Sequence, residues 1–267
     1  MIHKAADRKI GLARALSKLG YCSRSKAAEL IRSGHVQLNG VARRDPEASV
    51  RFDRDRISVE GRPIEAQQKI YLMMNKPRGL VTTASDEKGR DTIYSVLGNE
   101  ERMPWVGPIG RLDKASEGLL LLTNDSEWGA LIADPEIHLA KTYHVQIGAI
   151  ADDFLLHSLG KGIQSENGDI LRALHVRVLR SGQKNCWLDI VLDEGKNRQI
   201  RRMLQSMGVE VLRLIRVAIG PLQLGQLSKG KFRCLTSTEK QSLDHAIGKS
   251  LTPKATKFPV GRPVRRM

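Results

Sequence analysis

Asp113 is the carboxylate in this sequence best placed for chemistry. It lies in Gly107-Pro108-Ile109-Gly110-Arg111-Leu112-Asp113-Lys114, and the chain then runs through Ala115-Ser116-Glu117-Gly118 into Leu119-Leu120-Leu121-Leu122. A carboxylate in a glycine-bounded loop ahead of an apolar strand sits where backbone meets cleft. The flanking cations Arg111 and Lys114 would keep it ionised near neutral pH. Such a group can serve as nucleophile or as base; the competing reading is an Asp that caps a turn. A second stretch, Asp193-Glu194-Gly195-Lys196-Asn197-Arg198-Gln199-Ile200-Arg201-Arg202-Met203-Leu204, passes from a strand through a glycine turn into a helix. Its helix N-terminus and its cations Lys196, Arg198, Arg201 and Arg202 suit phosphate; a solvated basic helix competes. Arg201 borders the apolar stripe Ile200, Met203 and Leu204 and, if buried, needs a carboxylate partner. Tyr143 shares a strand face with Val145 and Ile147 and by itself reads as a core tyrosine. The seven His and the isolated Cys22, Cys186 and Cys234 show no metal-ligand spacing, so no metal and no cofactor are expected.

The 267 residues carry 44 Lys+Arg and 29 Asp+Glu, a formal net charge of +15. The excess is concentrated at the ends. Residues 1–34 hold eight Lys/Arg against two acids, and residues 249–267 hold six against none. Basic ends attract a polyanion and gain affinity by releasing its counterions; solubilising charge is the plainer alternative. The basic N-terminal helices offer no Trp or Phe to insert into a membrane. No apolar run approaches the ~18 residues of a membrane span, and the opening residues lack the apolar stretch of a signal peptide. With three isolated cysteines, a reducing cytoplasmic setting is expected.

The elements that must position these groups follow from periodicity. Leu12, Leu16 and Leu19 mark one helix face, ended at Gly20; Ser23 caps a second helix carrying Ala27, Leu30 and Ile31, ended at Gly34. Val36-Gln37-Leu38 leads into Asn39-Gly40, a hairpin signal. Arg14, Lys18, Arg24, Lys26 and Arg32 fall on the polar faces. Beyond residue 69, strands are expected at 70–74, 141–147, 187–192 and 211–217, and helices near 126–133, 152–159, 197–207 and 238–247. Strands outnumber helices without strict βαβ alternation, which predicts an α+β fold with a mixed or antiparallel sheet. The Pro-interrupted, Lys/Arg-rich end reads as a disordered tail. The expected division is 8–68, 69–246 and 247–267.

The stretch Leu16-Ser17-Lys18-Leu19-Gly20-Tyr21-Cys22-Ser23-Arg24-Ser25-Lys26-Ala27-Ala28-Glu29-Leu30-Ile31, followed by Gly34-His35-Val36-Gln37-Leu38-Asn39-Gly40, resembles the S4 (αL-like) RNA-binding domain. Where that family often begins Arg-Leu-Asp, this chain has Lys9-Ile10-Gly11. The resemblance implies that Arg14, Ser23, Arg24, Lys26 and Arg32 face structured RNA. A DNA-reading helix-turn-helix is the competing reading, disfavoured because the hairpin returns so soon after the second helix.

Further along, Asn75-Lys76-Pro77-Arg78-Gly79, Gly110-Arg111-Leu112-Asp113, Gly118-Leu119-Leu120, Leu122-Thr123-Asn124, Lys141-Thr142-Tyr143, Glu194-Gly195-Lys196-Asn197-Arg198-Gln199-Ile200-Arg201-Arg202-Met203 and Leu212-Arg213-Leu214-Ile215-Arg216 occur in order. Together they resemble the RsuA/RluB-type pseudouridine synthases. The resemblance implies that Asp113 starts breakage of the uridine N1–C1′ bond, by attack on sugar or base or by a glycal route. Tyr143 would stack on the target base, Arg201 would pair with the aspartate, and Arg111 would steady the RNA backbone or the loop. Lys76, Lys196 and Arg198 would contact the RNA. The implied partner is ribosomal RNA or a ribosome-assembly intermediate, large-subunit RNA being favoured, and the protein is expected to be a monomer that engages no membrane. Two other classes compete: a non-catalytic RNA-binding or assembly protein, and a glycosidase-like hydrolase with a carboxylate pair.

Overall fold

The computed structural model describes residues 9–84, 86–98, 103–165 and 168–248. The expected basic tail lies, from residue 249 on, outside them.

Two short helices open the described chain, α1 (Leu12–Lys18) and α2 (Arg24–Arg32). The Ser23 hydroxyl accepts from the Lys26 N–H at 3.1 Å, which caps α2. The strands β1 (Val36–Leu38), β2 (Val41–Arg43) and β3 (Ile57–Val59) follow. The β1–β2 turn places Asn39 at φ 55 and Gly40 at φ 80, the two left-handed residues that a two-residue hairpin requires. Leu12, Leu16, Ala27, Ile31, Val36, Val50 and Val59 bury together as a separate small core.

The rest of the described chain is built on one nine-stranded mixed sheet. Its strands include β4 (Tyr71–Lys76), β5 (Gly107–Ile109), β6 (Glu117–Thr123), β7 (Lys141–Ile147), β8 (His175–Ser181), β9 (Cys186–Leu192), β10 (Val211–Ile219) and β11 (Phe232–Cys234). The order is β8-β9-β7-β10-β6-β4-β11, with β5 beside β6 and Leu222–Gln223 beside β10. All pairs are antiparallel except β10–β6, where Ile215 lies opposite Glu117 and Arg216 opposite Gly118. This is the α+β arrangement with a mixed sheet that the strand-rich pattern implied. No described helix is long and apolar enough to cross a membrane.

The four longer helices over the sheet are α3 (Ser126–Ala133), α4 (Asp153–Lys161), α5 (Gln199–Gln205) and α6 (Ser237–Ala246). β6 is buried along its whole length. Leu120 and Leu122 point into the core that contains Leu155, Leu159, Ile200 and Met203. Leu119 and Leu121 point into the opposite one, with Trp128, Ile132 and Leu243. A strand covered on both faces reads in sequence as an unbroken apolar run, and Leu119 to Leu122 is that run.

The two units touch through Lys18–Glu127 (2.8 Å) and through the Trp105 N–H, which donates to the Gly20 carbonyl at 3.1 Å. Exposed ion pairs of this kind contribute ~0–1 kcal/mol each.

The close β6–β10 approach depends on Gly118. Its φ is +102, and a Cβ there would meet the Arg216 carbonyl oxygen at 2.3 Å. Gly118→Ala is therefore expected to cost at least about 2 kcal/mol, from backbone strain and overpacking together. The check is thermal melting, where Tm should fall by ~5 °C or more; an unchanged Tm would contradict this account of the sheet's centre.

Candidate active site

The turn Asp113–Ser116 is fixed from several sides. The Ser116 N–H donates to the Asp113 carbonyl at 3.0 Å, closing the turn on itself. The Gly79 N–H donates to the Lys114 carbonyl at 2.8 Å. The buried Thr82 hydroxyl donates to the Leu112 carbonyl at 2.7 Å. Arg201 Nη2 donates to the Ala115 carbonyl at 3.1 Å. Lys76 adds the deepest grip. Its side chain is fully buried, and Nζ donates to the carbonyls of Pro77 (3.2 Å), Asp113 (3.2 Å) and Ser116 (3.1 Å). An ammonium has three protons, and here three carbonyls receive them. Burial pushes the Lys76 pKa down to about 8, against the opposing pull of Asp113 and Glu117.

This corrects the RNA-contacting role expected for Lys76. The side chain is sealed behind the Asp113 turn and cannot reach a ligand. A cation beside a Pro-Gly turn reads as exposed, because the carbonyls that hold it come from a loop 37 and 40 residues away.

In front of the turn lies a cleft of about 510 Å³. Asp113, Arg111, Tyr143, Lys196, Arg198 and Arg201 all line it, together with the apolar Leu112, Leu192, Leu214 and Ile219. The Asp113 side chain is 36% exposed, so its carboxylate opens to the cleft while its backbone is clamped. The ring of Tyr143 is 9% exposed, as befits a strand residue whose edge meets the cavity.

The expected Asp113–Arg201 ion pair is not what the structure contains. Arg198 Nη1 is the guanidinium nitrogen at ion-pair distance from Asp113, 3.7 Å from Oδ2. Arg201 sits in electrostatic range, but its hydrogen bonds go to the carbonyls of Ala115 and Val211 (3.4 Å), and its Nε is buried without a partner. Its pKa is lowered by burial first and by Arg198 next, with Asp113 acting the other way. The swap follows from local backbone. Arg198 adopts φ 48, so α5 starts only at Gln199 rather than near 197, and the arginine turns out towards Asp113.

The presumed phosphate-binding helix end is likewise closed upon itself. Gln199 Nε2 donates to Glu194 Oε1 at 2.6 Å and its Oε1 accepts from the Lys196 N–H at 3.3 Å, while Lys196 Nζ pairs with Glu194 at 3.2 Å. Arg14, Ser23, Arg24, Lys26 and Arg32 stand on the first unit and do not line this cleft. Arg14, Arg24, Lys26 and Arg32 are exposed, whereas the Ser23 oxygen is engaged in capping.

The sequence reading missed Thr82, Glu117, Lys141 and Arg216 as parts of the site. Glu117 is a buried carboxylate bonded to Lys229 and Arg213 (3.2 Å), and these cations hold its pKa low against the effect of burial. Lys141 and Arg216 line the cleft. Both stood in recognisable stretches of sequence, but alternation along a strand reveals a face and not what that face meets.

A larger hollow of about 760 Å³ separates the two units, lined among others by Lys18, Phe52, Lys69, Asp125 and Glu127. Two ion pairs lie within it, Lys18 with Glu127 and Lys69 with Asp125 at 2.8 Å each. It has no counterpart of the clamped Asp113 turn facing several cations, and the chemistry is assigned to the smaller cleft. Among the described residues no group of His, Cys, Asp and Glu could hold a metal ion.

Comparison with known proteins places the chain in a family. Residues 70–206 match the RNA pseudouridylate synthase family and residues 10–57 the S4 domain. The chain belongs to the RNA pseudouridylate synthase family. It is 37% identical over 241 residues to an uncharacterized RNA pseudouridine synthase of Aquifex aeolicus, covering 90% of this chain and 95% of that one. It is 35% identical over 233 residues to the ribosomal large subunit pseudouridine synthase B of Bacillus subtilis, covering 87% and 94%. A crystal structure of a pseudouridylate synthase superposes with a TM-score of 0.62 at 26% identity, covering 88% of this chain and 99% of that one.

Lys76→Met leaves buried carbonyls without donors, which is expected to cost about 1–3 kcal/mol for each group left unpaired. The pH dependence has a definite sign. The folded pKa lies near 8, below the ordinary lysine value of 10.5. The unfolded chain therefore binds more protons between these limits, and stability rises with pH across that window. Chemical denaturation between pH 7 and 10.5 should show the parent gaining on Lys76→Met as pH climbs. A constant difference would contradict the burial of a titrating ammonium.

Proposed function

We propose that this enzyme converts a uridine of ribosomal RNA, in the large subunit, to pseudouridine. It acts as a cytoplasmic monomer on the RNA or on a ribosome-assembly intermediate. The observation that carries the reading is one cleft in which a clamped, solvent-facing Asp113 and the ring of Tyr143 stand over apolar Leu192 and Leu214. A pyrimidine fits such a slot, and the identity to a large-subunit synthase supports the choice of RNA.

The target nucleotide must leave its stack, at a cost of a few kcal/mol. Stacking on Tyr143 and the basic rim of Arg111, Lys196 and Arg198 offset that cost. Asp113, with the Arg198 guanidinium at ion-pair distance, begins cleavage of the N1–C1′ bond. The freed uracil turns while the cleft walls retain it, then rejoins through C5. Arg201 acts on the turn through the Ala115 carbonyl, as a positioning residue. Residues 8–68 form the RNA-docking unit, with Arg14, Arg24, Lys26 and Arg32 as its phosphate contacts, and 69–246 form the catalytic unit.

Asp113→Asn preserves shape and removes charge. With RNA carrying 5-tritiated uridine, the parent is expected to release tritium to water and the variant to release none while binding RNA equally well. Release by the variant would overturn the role of Asp113, and abasic RNA from the parent would indicate a hydrolase. Replacing Arg14, Arg24 and Arg32 together with Ala should weaken RNA binding and lower the slope of log affinity against log salt by about 3, one unit for each phosphate contact. An unchanged slope would remove these residues from the interface.

A further inference from the structure

The cleft holds two cations that the chemistry above does not use. Arg216 is 6% exposed and lines the cleft together with Lys141. Its Nε donates to the Leu119 carbonyl at 2.7 Å, but its Nη2 is buried with no hydrogen-bond partner. Neither Arg216 nor Lys141 forms an ion pair among the described residues, and Lys141 feels Arg216 as a neighbouring like charge. A buried donor left unpaired costs stability, and two cations side by side add to that cost.

Strand register explains how the arrangement arises. Arg216 on β10 is the direct partner of Tyr143 on β7, so both side chains leave the same face of the sheet. On its other side Arg216 is the partner of Gly118, five residues beyond Asp113. The guanidinium is thus wedged between the strand that bears the stacking ring and the strand that follows the aspartate turn. The carboxylates of the cleft are already engaged, Asp113 by Arg198 and Glu194 by Lys196, and Arg201 is held by the carbonyls of Ala115 and Val211. The floor is left positive, with an unused donor, beneath the place a base would occupy.

We propose that Arg216, supported by Lys141, donates to a carbonyl oxygen of the extruded uracil and stabilises the negative charge that builds on the base during the reaction. This rests on the pseudouridine reading and assigns a residue to its most demanding step. If Asp113 attacks C1′ or removes H2′, the electron pair of the N1–C1′ bond stays on the base and spreads to O2 and O4. If Asp113 attacks C6, the ring's electron pair moves onto C5 and O4. On each route the oxygens gain charge. The C5–C1′ bond then forms as Asp113 leaves C1′ or returns its proton to C2′, or, on the third route, is afterwards released from C6; C5 gives up its proton and N1 takes one, so substrate and product are isomers and no oxidant or reductant enters. A cation held beside the place where charge develops needs only a small shift of its guanidinium to donate to the base, and it holds the free base against escape.

The test uses the full chain under single-turnover conditions. Arg216→Gln is expected to slow tritium release from bound 5-tritiated uridine RNA by about 10²–10³-fold, with the RNA dissociation constant changed less than ~2-fold. Arg216→Lys should recover part of the rate. RNA carrying 5-fluorouridine supplies a readout that a structural role would not move. Fluorine stabilises the anionic base, so loss of the 5-fluorouridine nucleoside, followed by mass spectrometry, should be slowed far less by Arg216→Gln than the uridine reaction is. Equal slowing of both substrates, or an unchanged rate, would overturn the proposal. Weaker RNA binding with an unchanged rate once bound would also overturn it, by making Arg216 a phosphate contact. Should Arg216→Gln not fold, Lys141→Met carries the same comparison, with a smaller loss and the same relief by fluorine. Failure of the parent to release tritium would refute the pseudouridine reading itself, and this assignment with it.

Discussion

One buried ammonium organises the site. Lys76 leaves the end of β4 and meets three carbonyls, two of them from the turn that carries Asp113. Burying a cation without a carboxylate is expensive unless every proton is engaged, and here all three are. The arrangement is stiff for the same reason that it is costly: any shift of the Asp113 turn strands the charge. Thr82, Gly79 and Arg201 reinforce the turn from other directions. The backbone of Asp113 is thereby held while its carboxylate stays open to the cleft, which is what a reactive group needs when its partner is a base swung out of an RNA stack.

The sheet supplies the opposite wall. The parallel pairing of β6 with β10 lies at its centre, and Gly118 allows the two backbones to approach where a side chain would collide with Arg216. β10 in turn sets Arg216 beside Tyr143. A single short stretch of register therefore fixes the relation between the aspartate turn, the stacking ring and the buried guanidinium. Apolar Leu192, Leu214 and Ile219 complete the wall, and beside such a low-dielectric surface the charges interact more strongly than in open water.

Much of this was legible in the sequence, for identifiable reasons. Asn39-Gly40 announced its hairpin because only left-handed residues make that turn. The strand 141–147 appeared with its true bounds because Tyr143, Val145 and Ile147 alternate cleanly against polar neighbours. Asp113, Tyr143, Arg198 and Arg201 line one cleft, as the family resemblance implied; spacing alone read Asp113 as a turn cap and Tyr143 as a core residue. What stayed hidden depended on distant partners. His175–Ser181 alternates only over Val176 and Val178, both half-buried, too short a pattern among charged neighbours to mark a strand by itself. Lys76 looked like a surface cation because its acceptors are carbonyls, which every residue has. The exchange of Arg201 for Arg198 at the aspartate turns on one left-handed residue, and a non-glycine in that conformation leaves no signal in sequence.

The central claim is that the Asp113 carboxylate, set in this cleft, isomerises uridine in large-subunit ribosomal RNA. The most direct measurement maps pseudouridine across ribosomal RNA from cells that lack the gene and carry either the parent protein or Asp113→Asn. The account predicts that at least one large-subunit pseudouridine disappears without the gene, returns with the parent and stays absent with the variant. Identical maps in all three strains, or return of the modification with Asp113→Asn, would contradict it.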